Sequence, residues 1–294
     1  MTIPPPRPRI AAGRRHSVGV TAGGVVLTAG PPNAAERRTE RWSEIVAVAA
    51  GNVHTAPNTG RSHTIGLRTD GTVVASGWNH EGQCDVGDWT HVVSVAAGWR
   101  RTLAVLADGT ARAAGRHDGA AAVEGWTDLV AVGAGDWHSI GLRSDGTAVA
   151  AGNDRRGQCR VGEWRGLRAI SAGALHTVAL TATGRVFATG DFSAGVGEVS
   201  AWRDVVAVSA GSFHTVGVLD DGRVLAAGDN GRGQCEVARW RDVVAVAAGS
   251  THTLGLRADG TVVAAGNRDD GRCDVGRWKL ASAHRLSGIA PWQE

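Results

Sequence analysis

Residues 240–267 read WRDVVAVAAGSTHTLGLRADGTVVAAGN. Val243 to Ala247 is a run of β-branched and small residues that ends at Gly249, and His252 to Leu256 is a second such run. Asp259-Gly260 supplies the positive φ of a tight hairpin turn. Thr261 to Ala265 makes a third run, and Cys273-Asp274-Val275 leading to Trp278 reads as a short fourth edge. Four short antiparallel strands make one propeller blade.

The phrase recurs along the whole chain. Its Trp column is Trp42, Trp89, Trp126, Trp164, Trp202, Trp240 and Trp278, in steps of 37 or 38 residues with one of 47. Its Gly column is Gly13, Gly60 (doubled at Gly51), Gly98, Gly135, Gly173, Gly211 and Gly249. A repeat of about 20–50 residues built from strands and tight turns marks a propeller or array, and seven copies fall within the usual blade range. The expected fold is all-β, a seven-bladed propeller of four-stranded blades. The expected organisation is an N-terminal tail at 1–7, one propeller domain at 8–278 and a C-terminal tail at 279–294. The last copy ends at Trp278 with no strand after it, and the first starts with Pro8 to Gly13 and no Trp before it. The two ends are therefore expected to meet in one blade and close the ring, which removes open edges.

Composition limits the function classes. Net charge is +3 with only Lys279 as Lys, too mild a balance to signal nucleic acid without a clustered basic face. The bias to Arg, with no Tyr, suits a GC-rich, bacterial genome. The first eight residues hold no apolar leader core, and no stretch has the length of a membrane span. A cytoplasmic protein is expected, an exported form requiring a leader outside this chain. Cys84, Cys159, Cys235 and Cys273 occupy one repeat column, far from metal-ligand spacing, where other copies have Ala121 and Gly197. They are expected to be small packed side chains, and no cofactor or metal is expected.

The motif Val-Ala-Val-Ala-Ala-Gly-x-x-His-Thr-x-x-Leu-x-x-Asp-Gly resembles the repeat of the regulator of chromosome condensation family, over all seven copies. The resemblance implies the propeller fold. It implies no single function, because that family includes a nuclear exchange factor for the GTPase Ran, a plant ultraviolet-B photoreceptor and a secreted bacterial β-lactamase inhibitory protein. The exchange factor's protruding wedge has no counterpart here. Gly98-Trp99-Arg100-Arg101-Thr102 is similar to the photoreceptor's repeated Gly-Trp-Arg-His-Thr, but neighbouring copies do not repeat it. The inhibitory protein is similar in size and blade number, and it is exported.

Strand parity puts the Gly-x-x-His turn and the Gly-Asn-x-x-Gly loop on one face, the upper, and the Asp-Gly hairpins on the other. Six copies carry His in one column, at His16, His63, His138, His176, His214 and His252, with Arg101 in the third. One such residue per blade cannot converge on a site, so these histidines are expected to bond backbone between blades, and the Trp column to wedge blades apart. The two residues before that column vary instead. They are Arg14-Arg15, Arg61-Ser62, Trp99-Arg100 and Asp136-Trp137 in blades one to four, but small or apolar in blades five to seven. Arg and Trp are enriched in binding hot spots, and Arg forks suit anions. The extra nine residues of the long step lie between Gly51 and His63, on the same face. Inserted loops on rigid scaffolds often carry function, although Gly-Asn-Val-His-Thr also reads as a duplication of Gly-Arg-Ser-His-Thr.

The sequence thus points first to a binding module that captures a protein or an anionic small molecule through Arg14, Arg15, Arg61, Trp78, Trp99, Arg100, Arg101 and Trp137. An enzyme of specialised metabolism on the same face is the alternative, with loop residue His54, His80 or His117 as acid or base beside Asp118 and Glu81. An inhibitor of a hydrolase is the third. No nucleophile motif, phosphate loop or metal triad is present.

Overall fold

In the computed structural model, which describes residues 9–52, 54 and 62–281, every copy of the phrase forms a three-stranded antiparallel sheet, and there are seven. Blade one is Ile10–Ala12, Ser17–Val20 and Val26–Ala29. Blade seven is Val243–Ala248, His252–Arg257 and Val262–Gly266. The first strands of blades two to six are Ile45–Ala50, Val92–Ala97, Leu129–Ala134, Leu167–Ala172 and Val205–Ala210. Consecutive first strands touch, and that of blade seven touches that of blade one. Helix among the described residues is confined to two 3-10 turns, Ala35–Arg37 and Gly119–Ala121.

One expectation about the blades is corrected. The segment from Asn267 to Trp278 is a series of turns rather than a fourth strand. Asp274 N–H donates to Gly271 O, Val275 to Cys273 O and Trp278 to Val275 O, so the amides that a ladder would need are spent locally. The first strand belongs to blade one, the blade on which Trp278 packs at Gly19. It pairs with its own neighbour, Ile10 opposite Gly19 and Ala12 opposite Ser17, because the turn from Gly13 to His16 folds it straight back. Blades one and seven share one core, with Ile10, Ala12 and Ala29 packed together with Leu254, Val262, Trp278 and Leu280. Leu280 is buried and its N–H donates to Gly260 O, so ordered packing runs past residue 278.

Polar bonds join neighbouring blades with one repeated device. His63 Nε2 lies 2.8 Å from Thr102 Oγ1 of the next blade, and that hydroxyl donates onward to Gln83 O at 2.7 Å. With its hydrogen so committed, Thr102 accepts, and His63 is neutral with its proton on Nε2. The same bond links His16 to Thr64, His138 to Thr177, His176 to Thr215, His214 to Thr253, and His252 to Ser17, the last across the junction of blade seven with blade one. The partner is thus a hydroxyl rather than the expected backbone group. Gly249 is needed above the ring because a Cβ there would sit 2.6 Å from His252 Cε1. The Trp column works as expected: Trp240 packs on Gly255 of blade seven and Trp278 on Gly19 of blade one, where a Cβ would lie 2.8 and 2.9 Å from the indole.

The four thiols are free, with Cys273 buried and the others half-buried. Each donates to a backbone carbonyl, Cys273 to Asn267 O at 3.2 Å and Cys84 to Trp78 O at 3.5 Å among them. Burial pushes Cys84 up to about 12 and Cys159, Cys235 and Cys273 up to about 11. Thiolate is the reactive form, so at neutral pH a disulfide thiol reagent should label all four only after denaturation. Rapid labelling of the native protein would contradict this packing role.

Candidate binding face

The turns of blades two to four meet on the upper face. Backbone bonds tie each Gly-x-x-His turn to the loop leaving the third strand: Trp78 N–H donates to Ser62 O, Arg116 to Arg100 O and Asn153 to Trp137 O. Both loop sets therefore share a face, as parity required. The first of the two variable residues points toward the middle of the disc and is buried, as at Trp99, Asp136, Ala174, Ser212 and Ser250. Apart from buried Ser62, the second is the one that reaches outward.

This geometry divides the sequence candidates. Arg100 adopts a left-handed backbone at φ 62°, unlike the other described residues of these turns. Its guanidinium lies 4.3 Å over the Trp99 ring and 5.2 Å from the Trp78 ring, and Nη1 bonds Glu81 Oε1 at 3.0 Å. Strain of this kind persists only where surroundings over-determine it, and cation–π contact with two indoles plus an ion pair does so here. Trp99 meets Trp137 at 4.6 Å, edge to face, and His80 stacks on Trp78 at 5.8 Å. Trp78, Arg100 and Trp137 are half-buried, whereas Trp99 is only 7% exposed. The expectation of an exposed indole at Trp99 is corrected: it supports the rim from beneath.

Arg101 is corrected more strongly, being 1% exposed. It stands in the His column, and its Nη atoms donate to the carbonyls of Asp136 at 3.1 Å and His138 at 3.4 Å in blade four, with Asp118 at 3.5 Å. Burial lowers its pKa while Asp118 and Asp136 oppose the shift. It is the joint of blades three and four. Arg61 and most of the inserted loop lie outside the described residues. Gly51, rather than Gly60, holds the Gly column of blade two, since its N–H donates to His63 O as Gly98 does to Arg101 O.

Two inserted or adjoining residues cross the centre of the disc, which the sequence did not reveal. Asn52 Oδ1 accepts from Ser212 and Ser250 at 3.0 Å, in blades six and seven. Ser250 is therefore a structural contact across the disc. His54 donates through its backbone N–H to Asp136 Oδ2 at 3.0 Å, and its Nδ1 lies 2.5 Å from the same oxygen. Among the three loop histidines, only His54 has a carboxylate partner of this kind; it is Asp136, not Asp118 or Glu81. His80 and His117 are exposed. No cluster of three or more His, Cys, Asp or Glu suited to a metal is present among the described residues, and no helix there is long and apolar enough to cross a membrane.

Arg14 and Arg15 stand apart, at the junction of blades seven and one. Arg15 Nε bonds Asp270 Oδ2 at 2.9 Å, and the same carboxylate pairs with buried Arg272.

The regulator of chromosome condensation (RCC1) repeat model matches residues 58–83, 129–158, 167–195, 205–234 and 243–272, each of the last four running from the first strand of a blade into its upper loop. The chain is an RCC1-like propeller. Blades one and three, which carry Arg14-Arg15 and Trp99-Arg100-Arg101, lie outside the matched RCC1 stretches. The fold is similar to that of Prp20p from Saccharomyces cerevisiae, with TM-score 0.66 and 15% identity over 93% of this chain and 86% of that one. It is similar to human WBSCR16, with TM-score 0.64 and 18% identity over 84% and 85%. The ectodomain of receptor kinase CR4 from Physcomitrella patens gives TM-score 0.65 and 19% identity over 87% and 72%. No curated protein sequence matches the chain.

Proposed function

We propose that this RCC1-like propeller is a binding module that captures a protein partner or acidic ligand on the upper face of blades one to four. The observation that carries the reading is the Trp78–Arg100–Trp99 stack with its Glu81 ion pair, held at a strained backbone on the one blade that departs from the His column. Rigid aromatic anchors around an arginine are the usual make-up of a hot spot. Trp137 widens this patch, and Arg14 and Arg15 form a separate basic region of the same face at the junction of blades seven and one. The similar fold of Prp20p, a protein described by its binding to Gsp1p and histones, is compatible with such a role.

The test is quantitative capture from native lysate. Arg100→Ala and Trp78→Ala should each weaken retention of the wild-type partner by roughly 1–3 kcal/mol without lowering the melting temperature. Asp220→Lys, on an exposed lower hairpin, should retain it fully. Retention by the upper-face variants together with loss in Asp220→Lys would assign the working face wrongly.

A second reading has its own observation. Asp136 is 1% exposed and holds His54 through Nδ1, with the imidazole beside Trp99 and Trp137. That arrangement suits a general base. A small molecule retained by the wild type and chemically altered only when His54 is present would favour catalysis over capture.

A further inference from the structure

A cleft of about 260 Å³ opens on the upper face where the chain's two ends meet, lined by Arg14, Arg15, Arg232, Thr251, Asn267 and Arg272. Four of the six lining residues are arginines and none is acidic. They come from three repeats: Arg14 and Arg15 from blade one, Thr251, Asn267 and Arg272 from blade seven and its outer loop, and Arg232 from the loop after blade six.

Asp270 lies behind the cleft, and its oxygens are taken by Arg272 Nε at 2.7 Å and Arg15 Nε at 2.9 Å, with Arg272 Nη2 as a further donor. These bonds, arginine charge and the Arg272 amide hold its carboxyl down at about 2 against the opposing effect of burial. Arg232 has only Asp269 at 3.9 Å, both side chains mostly exposed. Burial lowers the pKa of Arg14, the charges of Arg15 and Arg272 add to the shift, and Glu36 opposes it.

The walls are rigid and donor-rich. Arg272, 5% exposed, bonds Arg14 O at 2.8 Å and Thr251 Oγ1 at 2.7 Å, so it fixes the blade-one turn against blade seven. Thr251 Oγ1 accepts there and keeps its hydrogen to donate. Asn267 Oδ1 accepts from Asp269 N–H at 2.8 Å, which leaves its NH₂ as the group to offer. The Arg14, Arg15 and Arg232 guanidinium groups, a hydroxyl and an amide NH₂ line the cleft, a donor-rich set that matches the oxygens of a phosphate. The volume lies just below the roughly 300–1,000 Å³ of ordinary small-molecule sites, so the ligand is small.

We propose that this cleft binds a phosphoryl group, as free phosphate or as the monoester of a small molecule, and that the bound anion ties blades six, seven and one together at the chain-end junction. The site is separate from the Trp78–Arg100–Trp137 patch and stands whether or not that patch captures a partner. Calorimetric titration of the full chain in low-salt, phosphate-free buffer tests it, with inorganic phosphate, ribose 5-phosphate and acetate as probes. One saturable site for either phosphate is expected, with a raised melting temperature; tighter binding of the ester identifies a monoester, and equal binding identifies the free ion. Arg14→Gln and Arg232→Gln should each weaken it by roughly tenfold or more, while Arg100→Ala should leave it unchanged. No saturable binding of either phosphate, binding of acetate with equal affinity, or full affinity in both Gln variants with unaltered melting temperatures would overturn the proposal.

Discussion

Acidification from pH 7 to about pH 4 should unfold the protein cooperatively. The histidines that join the blades are buried and neutral, and desolvation first, then neighbouring cationic or imidazole groups in most of them, lowers their pKa from 6.5 to about 3 at His16, His138 and His176 and to about 4 at His63 and His214. His252 shifts the same way. A depressed histidine binds protons in the unfolded chain before it can in the folded one. Its contribution to stability is therefore complete above pH 6.5 and is lost as pH falls toward 3–4. At about pH 4.5 the loss is roughly 2–3 kcal/mol per histidine, and five or six of them together reach the size of a typical folding free energy, about 5–15 kcal/mol. Circular dichroism and tryptophan fluorescence across a pH series should show one steep transition between pH 6 and 4, with uptake of several protons. Native spectra that persist at pH 4 would mean that the imidazoles are not the joints described.

Replacing Arg101 by Ala should cost about 3–5 kcal/mol, the range for removing one partner from a buried charged network. At roughly 2–4 °C per kcal/mol for a chain of this size, the melting temperature should fall by about 10 °C. The loss leaves the carbonyls of Asp136 and His138 without their guanidinium donors. Arg101→His should recover part of it, because Ser139 stands where Ser17 serves His252, with its hydroxyl donating to Ala120 O. Arg100→Ala, one residue away, should barely move the transition. Scanning calorimetry of the three variants decides whether Arg101 belongs to the joint or to a binding surface; a stable Arg101→Ala would return it to the surface.

What the sequence showed follows from what a repeat can carry. The Gly-x-x-His and Trp columns were legible because most copies meet the same local constraint, a Cβ-free position over an imidazole or beneath an indole. The outer segment was misread as a strand because Cys273 to Trp278 has strand-like residues, whereas Gly271 and Gly276 and three short turn bonds decide its form. Strand parity placed the variable pairs on the correct face but not their depth, so Trp99 and Arg101 were credited with exposure they do not have. Long-range partners were beyond reach: nothing in the spacing links Asn52 to Ser212, His54 to Asp136, or Arg15 to Asp270, residues brought together only by the disc's curvature. His252 reaches Ser17 by the same rule as the other joints, because each His-Thr or His-Ser dipeptide supplies one half of two successive joints.

The working face is the central claim, and hydrogen–deuterium exchange on the protein alone and with its captured partner tests it most directly. Protection should concentrate in the upper turns around residues 78–81, 98–101 and 135–138, and the lower hairpins at Asp70-Gly71, Asp108-Gly109 and Asp221-Gly222 should exchange at the same rate in both states. Protection confined to those lower hairpins, with the upper turns unchanged, would contradict the account.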